Sequence, residues 1–437
     1  MAMGRQRDRQ GEMLLSWDEL PKSPGHVFYD RLQEVLIEAG FDAFVESLCR
    51  PYYAPVMGAP SLPPGRYFRM HLVGYFEGIA SERGLEWRCT DSLSLRDFLG
   101  LELSQRVPDH SWLSKTRGRL PLEVHEAVFA WVLERLAARG LVKGERIGVA
   151  ASTMEANAAM RASYREMLAR MAQESGVPTP TAAALKQRDR TRQDKRVSNA
   201  EWASPSDPDA RITRLKDGRT RLASKSEHAV DLDTEAVVAA TIQRADQGDT
   251  TSIAGTLDAA ARGLDAAGCA PSTEAPTELV ADKGYDSRAV LRDLDSSPWT
   301  TRIAEPRPKD VQRWRGDLDP RRAVYNNRAR LRSGVGQEAF KLRAEKVERS
   351  FQHTLDRGGM RHTWLRGRAN VHKRYLMQVA ACNLGLVMRT LLGAGTPKGV
   401  AARGEALLWL ADPTAGLVVL IALPPTAPPE PTSSTAC

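Results

Sequence analysis

The chain predicts an α/β fold, a mixed sheet flanked by helices and preceded by an all-helical domain, and three observations carry that reading. Apolar residues recur at helical spacing from about Gly25 to Gly140. After Gly144 the period shortens, and strand-like runs begin to alternate with helices. The early strands are joined by a tight hairpin turn and a later one by a strand–turn–helix crossover, so both strand directions are expected in one sheet.

In order, "HVFYDRLQEVLIEAG" places Val27, Phe28, Leu32, Val35 and Leu36 on one helix face and stops at Gly40. "LSLRDFLGLELSQRVPDHSWLSKTRGRL" reads as two short helices around a turn, the second ending in Lys115, Arg117 and Arg119. Such a pair either reads a DNA groove as a helix-turn-helix or simply packs the helical domain. "LPLEVHEAVFAWVLERLAARG" is a helix from Pro121 to Gly140. "RIGVA" is a short buried strand running into the polar turn "STMEANAAM", and residues 161–204 read as a polar surface excursion. The Lys216-Asp217-Gly218 turn joins two strands, and "EHAVDLDTEAVVAATIQ" supplies two more strand-like runs. Asp249 or Thr250 is expected to cap a helix closed by Gly268, and "TELVADKGYDSRAVLRDL" is strand, turn and helix. "QEAFKLRAEKVERSFQHTL" and "VHKRYLMQVAACNLGLVMRTLLG" are helices. The expected organisation is a disordered tail 1–24, a helical domain 25–143 for DNA binding or assembly, an α/β domain 144–392 with a basic insertion at about 300–340, and a Pro/Ala-rich tail 393–437.

Composition narrows the function classes. No apolar stretch follows the basic start, and the run Leu417–Leu423 is far short of the ~20 residues of a bilayer span, so neither secretion nor a membrane is expected. The five cysteines form no C-x-x-C pair, which argues against zinc and disulfide scaffolds and fits a reducing cytoplasm. Net charge is +8, and it is concentrated: residues 302–374 hold 20 Lys/Arg against 8 Asp/Glu, leaving the remainder of the chain acidic. A footprint of this kind points to a polyanion, with DNA the expected partner and no small-molecule cofactor.

The candidate chemistry sits in two stretches. In "ELVADKGYDSRAVL", Asp282 stands where a buried strand leaves the sheet, the place where function gathers in open α/β sheets, although an Asp there can also merely bond its turn. In "EKVERSFQHTLDRGGMRHTWLRGRANVHKRYL", Glu345 and Glu348 share a helix face among cations, which suits either salt bridges or a carboxylate site for phosphodiester chemistry.

These stretches, with "STMEANAAM" and "LRDFLGL…VPDHSWLSKTRGRL", resemble bacterial insertion-sequence transposases of the DDE type, over about residues 25–392 and in that family's motif order. The resemblance implies an RNase H-like catalytic core, two Mg²⁺ ions (Mn²⁺ substituting), hydrolysis at transposon ends and attack of the freed 3′-hydroxyl on target DNA. It implies a homodimer on DNA, since two ends are joined, and a bacterial, nucleoid-associated chain. It makes Asp282 the second and Glu348 the third carboxylate of the triad, 66 residues apart. The first carboxylate belongs on the strand before "STMEANAAM", where this chain has Ala150, a side chain with no oxygen. Asp231 and Asp233 end a different strand and are not expected to replace it. Catalysis is therefore expected to be impaired, and a non-catalytic DNA-binding relative, acting as repressor or architectural factor, is the rival. Lys283, Tyr285, Arg349, Arg361, Arg366, Arg368, Lys373 and Arg374 are candidate DNA contacts, and Trp299 or Trp314 could stack on an unpaired base.

Overall fold

A computed structural model describes residues 2–5, 24–55, 58, 60–102, 104–175, 181–191, 193, 198–215, 217–306, 314, 316, 318–402, 410–411 and 418–419. The helical region holds α1 (Pro24–Glu38), α2 (Phe41–Cys49), α3 (Pro64–Phe76), α4 (Glu82–Thr90), α5 (Leu93–Phe98), α6 (His110–Arg119) and α7 (Leu122–Ala137). Ser81, Ser92 and Asp109 cap α4, α5 and α6 by accepting bonds from the first-turn amides, as short polar side chains do at helix starts. The buried face foreseen for α1, Phe28, Leu32, Val35 and Leu36, packs into a core shared with α3 and the α/β region.

Strand β1 (Arg146–Glu155) runs five residues further than "RIGVA", so the polar turn shrinks to the few residues before α8 (Met160–Ser175). The expected surface excursion folds as α8, α9 (Ala182–Thr191) and α10 (Ser198–Glu201), where Met167, Leu168 and Leu185 form a separate small apolar cluster. Then come β2 (Arg211–Arg214), β3 (Thr220–Asp231) and β4 (Val237–Arg244), followed by α11 (Asp249–Ala266), β5 (Thr277–Ala281), α12 (Arg288–Asp295) and β6 (Trp299–Ile303). Gly218, at φ +81, makes the β2–β3 turn that Asp217-Gly218 predicted.

The main sheet is mixed. β3 pairs antiparallel with β1, β2 and β4, while β1, β5 and β6 run parallel. Helices α13 (Leu318–Arg332), α14 (Gly334–Phe351) and α15 (Arg368–Leu392) complete the α/β region, with a π-helical turn at Gln352–Arg357 between the last two.

Three expected boundaries bear comparison with the fold. Within the expected basic insertion at about 300–340, residues up to Ile303 belong to β6, the edge strand of the sheet, and α13 packs on β6 and α12, while residues 307–313 lie outside the described residues. The C-terminal tail starts later than 393, because α16 (Pro397–Ala402) docks on α1 with Val400 buried. At the other end, Ala2 bridges Ala54, so residues 2–5 belong to the fold, while 6–23 lie outside the described residues. The helical span Arg368–Ala402, which holds α15 and α16, is long and apolar enough to cross a membrane, but 61% of its apolar window is buried inside the fold, where α15 packs on α7, α3 and β4. The apolar run Leu417–Leu423 lies outside the described residues except for Val418 and Val419, which pair with Leu410 and Ala411.

Candidate active site

The site starts with β1 and β5. Their parallel register ends with Val149 opposite Ala281, so Ala150 and Asp282 stand side by side one residue further on. Asp282 is still extended (φ −79, ψ 179) before the chain turns into the short helical turn Lys283–Tyr285. Its Oδ1 accepts the Gly284 amide at 2.9 Å, the turn-forming bond open to any Asp at this position. The second oxygen does something else.

Helix α14 crosses this face of the sheet, and Gly148 lets it come close. A side chain at 148 would meet Val347 Cγ2 at 2.9 Å and Arg343 Cγ at 3.2 Å. The close crossing lays the Arg343 guanidinium over β1 at the point where its pairing with β5 ends. Its Nη2 donates to Val149 O at 3.0 Å and to Asp282 Oδ2 at 3.1 Å. Arg343 thus ties the carbonyl just before Ala150 to the carboxylate beside it. The Asp282 side chain remains 47% exposed, so the ion pair is wet.

Glu348 lies five residues, about 1.4 turns, further along α14. Lys346 and Arg349 reach Glu235, in the turn after β3 at the amino end of β1. At 100° per residue, Glu348 lies about 200° around the helix from Lys346, so it is turned away from the Lys346 side chain that reaches Glu235. It is exposed. Glu345 instead pairs with Arg349. Asp231 accepts the Lys143 and Gly144 amides at 2.7 and 3.0 Å, at the far end of β1, where it cannot stand in for an acid at 150.

One acidic neighbour was misread in the sequence. Asp249 caps nothing: the N-cap of α11 is Gly248, without a side-chain bond. The Asp249 carboxylate lies beside Asp282 across Gly284, where a Cβ would be 2.6 Å from Asp249 Oδ2 and 3.0 Å from Asp282 Oδ1. Lys225 Nζ, buried, balances it at 3.0 Å and also holds the buried Glu227 at 3.0 Å. The signal was available only through the fold, since Lys225 and Asp249 are far apart in sequence and lie on different elements.

As the chain stands, these residues do not make a seat for a pair of divalent cations. Position 150 offers a methyl group, Asp282 is bound to a guanidinium, and among the described residues no cluster of three or more His, Cys, Asp or Glu side chains could hold a metal.

Residues 17–119 match a family model described as a transposase domain (DUF772). The chain carries a transposase domain. The match covers α1 to α6 and supports an insertion-sequence transposase, with a transposase role and an interaction with DNA in general. No curated protein and no solved structure matches the chain.

Within the transposase domain, Lys115 is exposed and its ammonium lies 5.6 Å from the Trp112 ring, while Arg119 stacks over Tyr53 at 4.7 Å. Arg117 is buried and paired with Glu82, so it holds α6 to α4 instead of facing a phosphate. Outside the domain the expected DNA contacts divide. Lys283, Arg361, Arg366 and Arg368 are exposed, and Arg349 is half-buried. Lys373 and Arg374 are buried: Lys373 Nζ donates to Arg117 O at 3.0 Å, and Arg374 donates to Ile79 O at 3.0 Å and lies 2.8 Å from His71 Nδ1. Both cations therefore fasten α15 to the transposase domain. Tyr285 is fully buried, and burial beside Glu227, Asp249 and Asp282 pushes its hydroxyl far above the usual tyrosine range. Trp299 is core, inward-facing on β6; Trp314 lies under the Arg288 guanidinium at 4.5 Å, next to Tyr325. Two exposed indoles that the sequence did not single out are Trp87 and Trp364.

Proposed function

We propose that this chain is a DDE-type insertion-sequence transposase that holds DNA but cuts it poorly or not at all. The reading rests on the pairing of β1 with β5, which puts position 150 beside Asp282, and on motif order for Glu348 as the third carboxylate. The strand order β4-β3-β1-β5-β6, antiparallel on one side and parallel on the other, supports an RNase H-like core. An active member of the class would use divalent ions between three carboxylates. Here the first carboxylate is missing, and Arg343 supplies positive charge where a cation would be held. DNA, held as transposon ends by a homodimer in the bacterial cytoplasm, is the partner of this reading. The transposase domain and the exposed arginines of the 302–374 segment would carry the binding.

The rival reading, a non-catalytic DNA-binding relative, draws on the same alanine and on the Arg343–Asp282 pair. A supercoiled plasmid incubated with Mn²⁺ separates the two. We expect no nicking by the natural chain and open circles from Ala150→Asp, with the gain abolished in Ala150→Asp/Asp282→Asn. The gain should exceed the roughly 100-fold that an outer-shell partner is worth in a metal site. Equal rates for the natural chain and Ala150→Asp would overturn the proposed impairment. Binding without any nicking by Ala150→Asp would favour the rival.

A further inference from the structure

We infer that the pocket beside the turn joining β3 to β4 is a seat for one phosphate-class oxyanion, held by Lys346, Arg349, Arg357 and Arg389. The inference stands apart from the three carboxylate positions. Glu235, in the pocket wall, belongs to the turn after β3 at the amino end of β1, whereas Asp282 follows the carboxyl end of β5.

The pocket has a volume of about 100 Å³. With about 30 Å³ to a water molecule, it has room for a five-atom oxyanion and none for a nucleoside. Separate elements bring its lining together. Lys346 and Arg349 come from α14, His353 and Arg357 from the π-helical turn, and Arg389 from the last turn of α15. Tyr75 on α3 brings the transposase domain to the same pocket. Turns of the π type are rare and recur at functional sites, and this one carries two of the lining side chains.

The charges in this place do not balance. Glu235 is the one carboxylate in the lining; Lys346 and Arg349 meet its Oε1, and Arg389 meets its Oε2 at 3.3 Å. Glu345, outside the lining and exposed, takes a second bond from Arg349. Four cations thus face two carboxylates, and Arg357 has no carboxylate partner among the described residues. Its Nη1 instead lies 3.4 Å from His353 Nδ1. A guanidinium only donates, so Nδ1 accepts and the ring proton stands on Nε2, which leaves His353 a neutral donor. Burial, and then Arg357 and Arg389, push the His353 imidazole down to about 4, so it adds no charge at pH 7. Glu235 itself sits at φ +70, in the left-handed region that a glutamate rarely adopts, so a strained residue supplies the pocket's carboxylate. An excess of two positive charges is what a dianion cancels, and guanidinium forks match the oxygens of phosphate. A DNA backbone and free inorganic phosphate present those oxygens alike.

The test melts the full chain in potassium phosphate and in potassium chloride at equal ionic strength, and titrates a blunt duplex in both. We expect phosphate to raise the melting temperature saturably where chloride does not. Arg357→Ala and Arg389→Ala should each demand about tenfold or more phosphate for the same rise. Both side chains are exposed, so the variants should melt with the natural chain in chloride. Arg366→Ala, exposed and outside the lining, should leave the phosphate response intact. If a DNA phosphate is the occupant, phosphate should also displace the duplex, and Arg357→Ala should flatten the log–log salt slope of duplex binding by about one unit. If the free ion is the occupant, the melting response stands and duplex binding ignores both. A chain that shows the phosphate response but binds no duplex would keep the seat and remove the DNA-binding reading. No rise beyond that in chloride, a rise that never saturates, as general exclusion of phosphate from a protein surface produces, or one that survives both variants would overturn the seat.

Discussion

Asp282 has two oxygens with two partners, and they separate what a turn needs from what a site needs. The Gly284 amide bond is satisfied by any acceptor at this position, whereas the Arg343 bond answers to charge. Asp282→Asn should keep the turn and, with the ion pair half exposed, cost less than about 1 kcal/mol in urea unfolding; a larger loss would mean that the residue is chiefly structural. A second residue-scale expectation concerns pH. Burial lowers the His228 imidazole to about 3 and that of His125 to about 4. His228 lies between Ser350 Oγ at 2.8 Å and the Tyr375 hydroxyl at 2.7 Å, stacked on Phe351. The folded pKa values lie below the unfolded value of about 6.5, so only the unfolded chain takes up these protons as pH falls through that range. Their contribution is thus fully present above about pH 6.5 and fades below it by about 1.4 kcal/mol per pH unit for each residue, until the folded pKa is reached. Urea midpoints should be flat from pH 8 to 7 and drop between 6.5 and 5; because burial also lowers His71, His353 and His372, His125→Gln should remove only about a fifth of that slope.

At the scale of elements, both edges of the sheet are finished by an asparagine borrowed from a helix. Asn327 on α13 donates to Ile303 O at 2.8 Å and accepts from Ile303 N at 2.9 Å, completing β6. Asn383 on α15 does the same for Val237 at the start of β4, at 2.8 and 2.9 Å. All these groups are buried, and an unpaired backbone group in such a place costs about 1–3 kcal/mol. Asn327→Leu and Asn383→Leu should each lower unfolding free energy by about 2–5 kcal/mol, whereas Asn370→Leu on the half-buried first turn of α15 should cost far less. Elements were legible where the signal was local. Asp217-Gly218 announced its hairpin, Gly40 and Gly140 ended their helices, and the strand before Asp282 was bounded by its own turn. β6 was not legible: its "WTTRI" alternates inward and outward correctly, but it is short, adjoins an arginine-rich run, and is recruited by pairing with β5 across a helix. Asp249 was misplaced for a similar reason. An Asp before a helical run looks like a cap, and only the fold brings it to Asp282 and Lys225.

For the whole molecule, the concentration of positive charge in residues 302–374 overstates what faces outward. Arg302, Arg328, Arg343, Arg349 and Arg361 each pair with a carboxylate, and Lys373 and Arg374 are consumed in joining α15 to the transposase domain. Charge counting located the segment, but which cations are spent depends on partners brought together from the rest of the chain. The salt dependence of duplex binding should follow the exposed set. Arg366→Ala and Arg368→Ala should each flatten the log–log slope by about one unit, while Lys373→Ala should lower stability and leave the slope unchanged. Motif order alone proposed the triad positions, but it gave no sign of the guanidinium over Asp282, because its reach depends on how closely α14 crosses Gly148.

Mn²⁺ binding, followed by loss of the free-ion paramagnetic resonance signal, probes the arrangement of these three segments without needing a DNA sequence. We expect no tight site in the natural chain, a site in Ala150→Asp, and its loss again in both Ala150→Asp/Asp282→Asn and Ala150→Asp/Glu348→Gln. Tight Mn²⁺ binding by the natural chain, or an Ala150→Asp site indifferent to residues 282 and 348, would contradict the convergence of β1, β5 and α14 on one vacant carboxylate position.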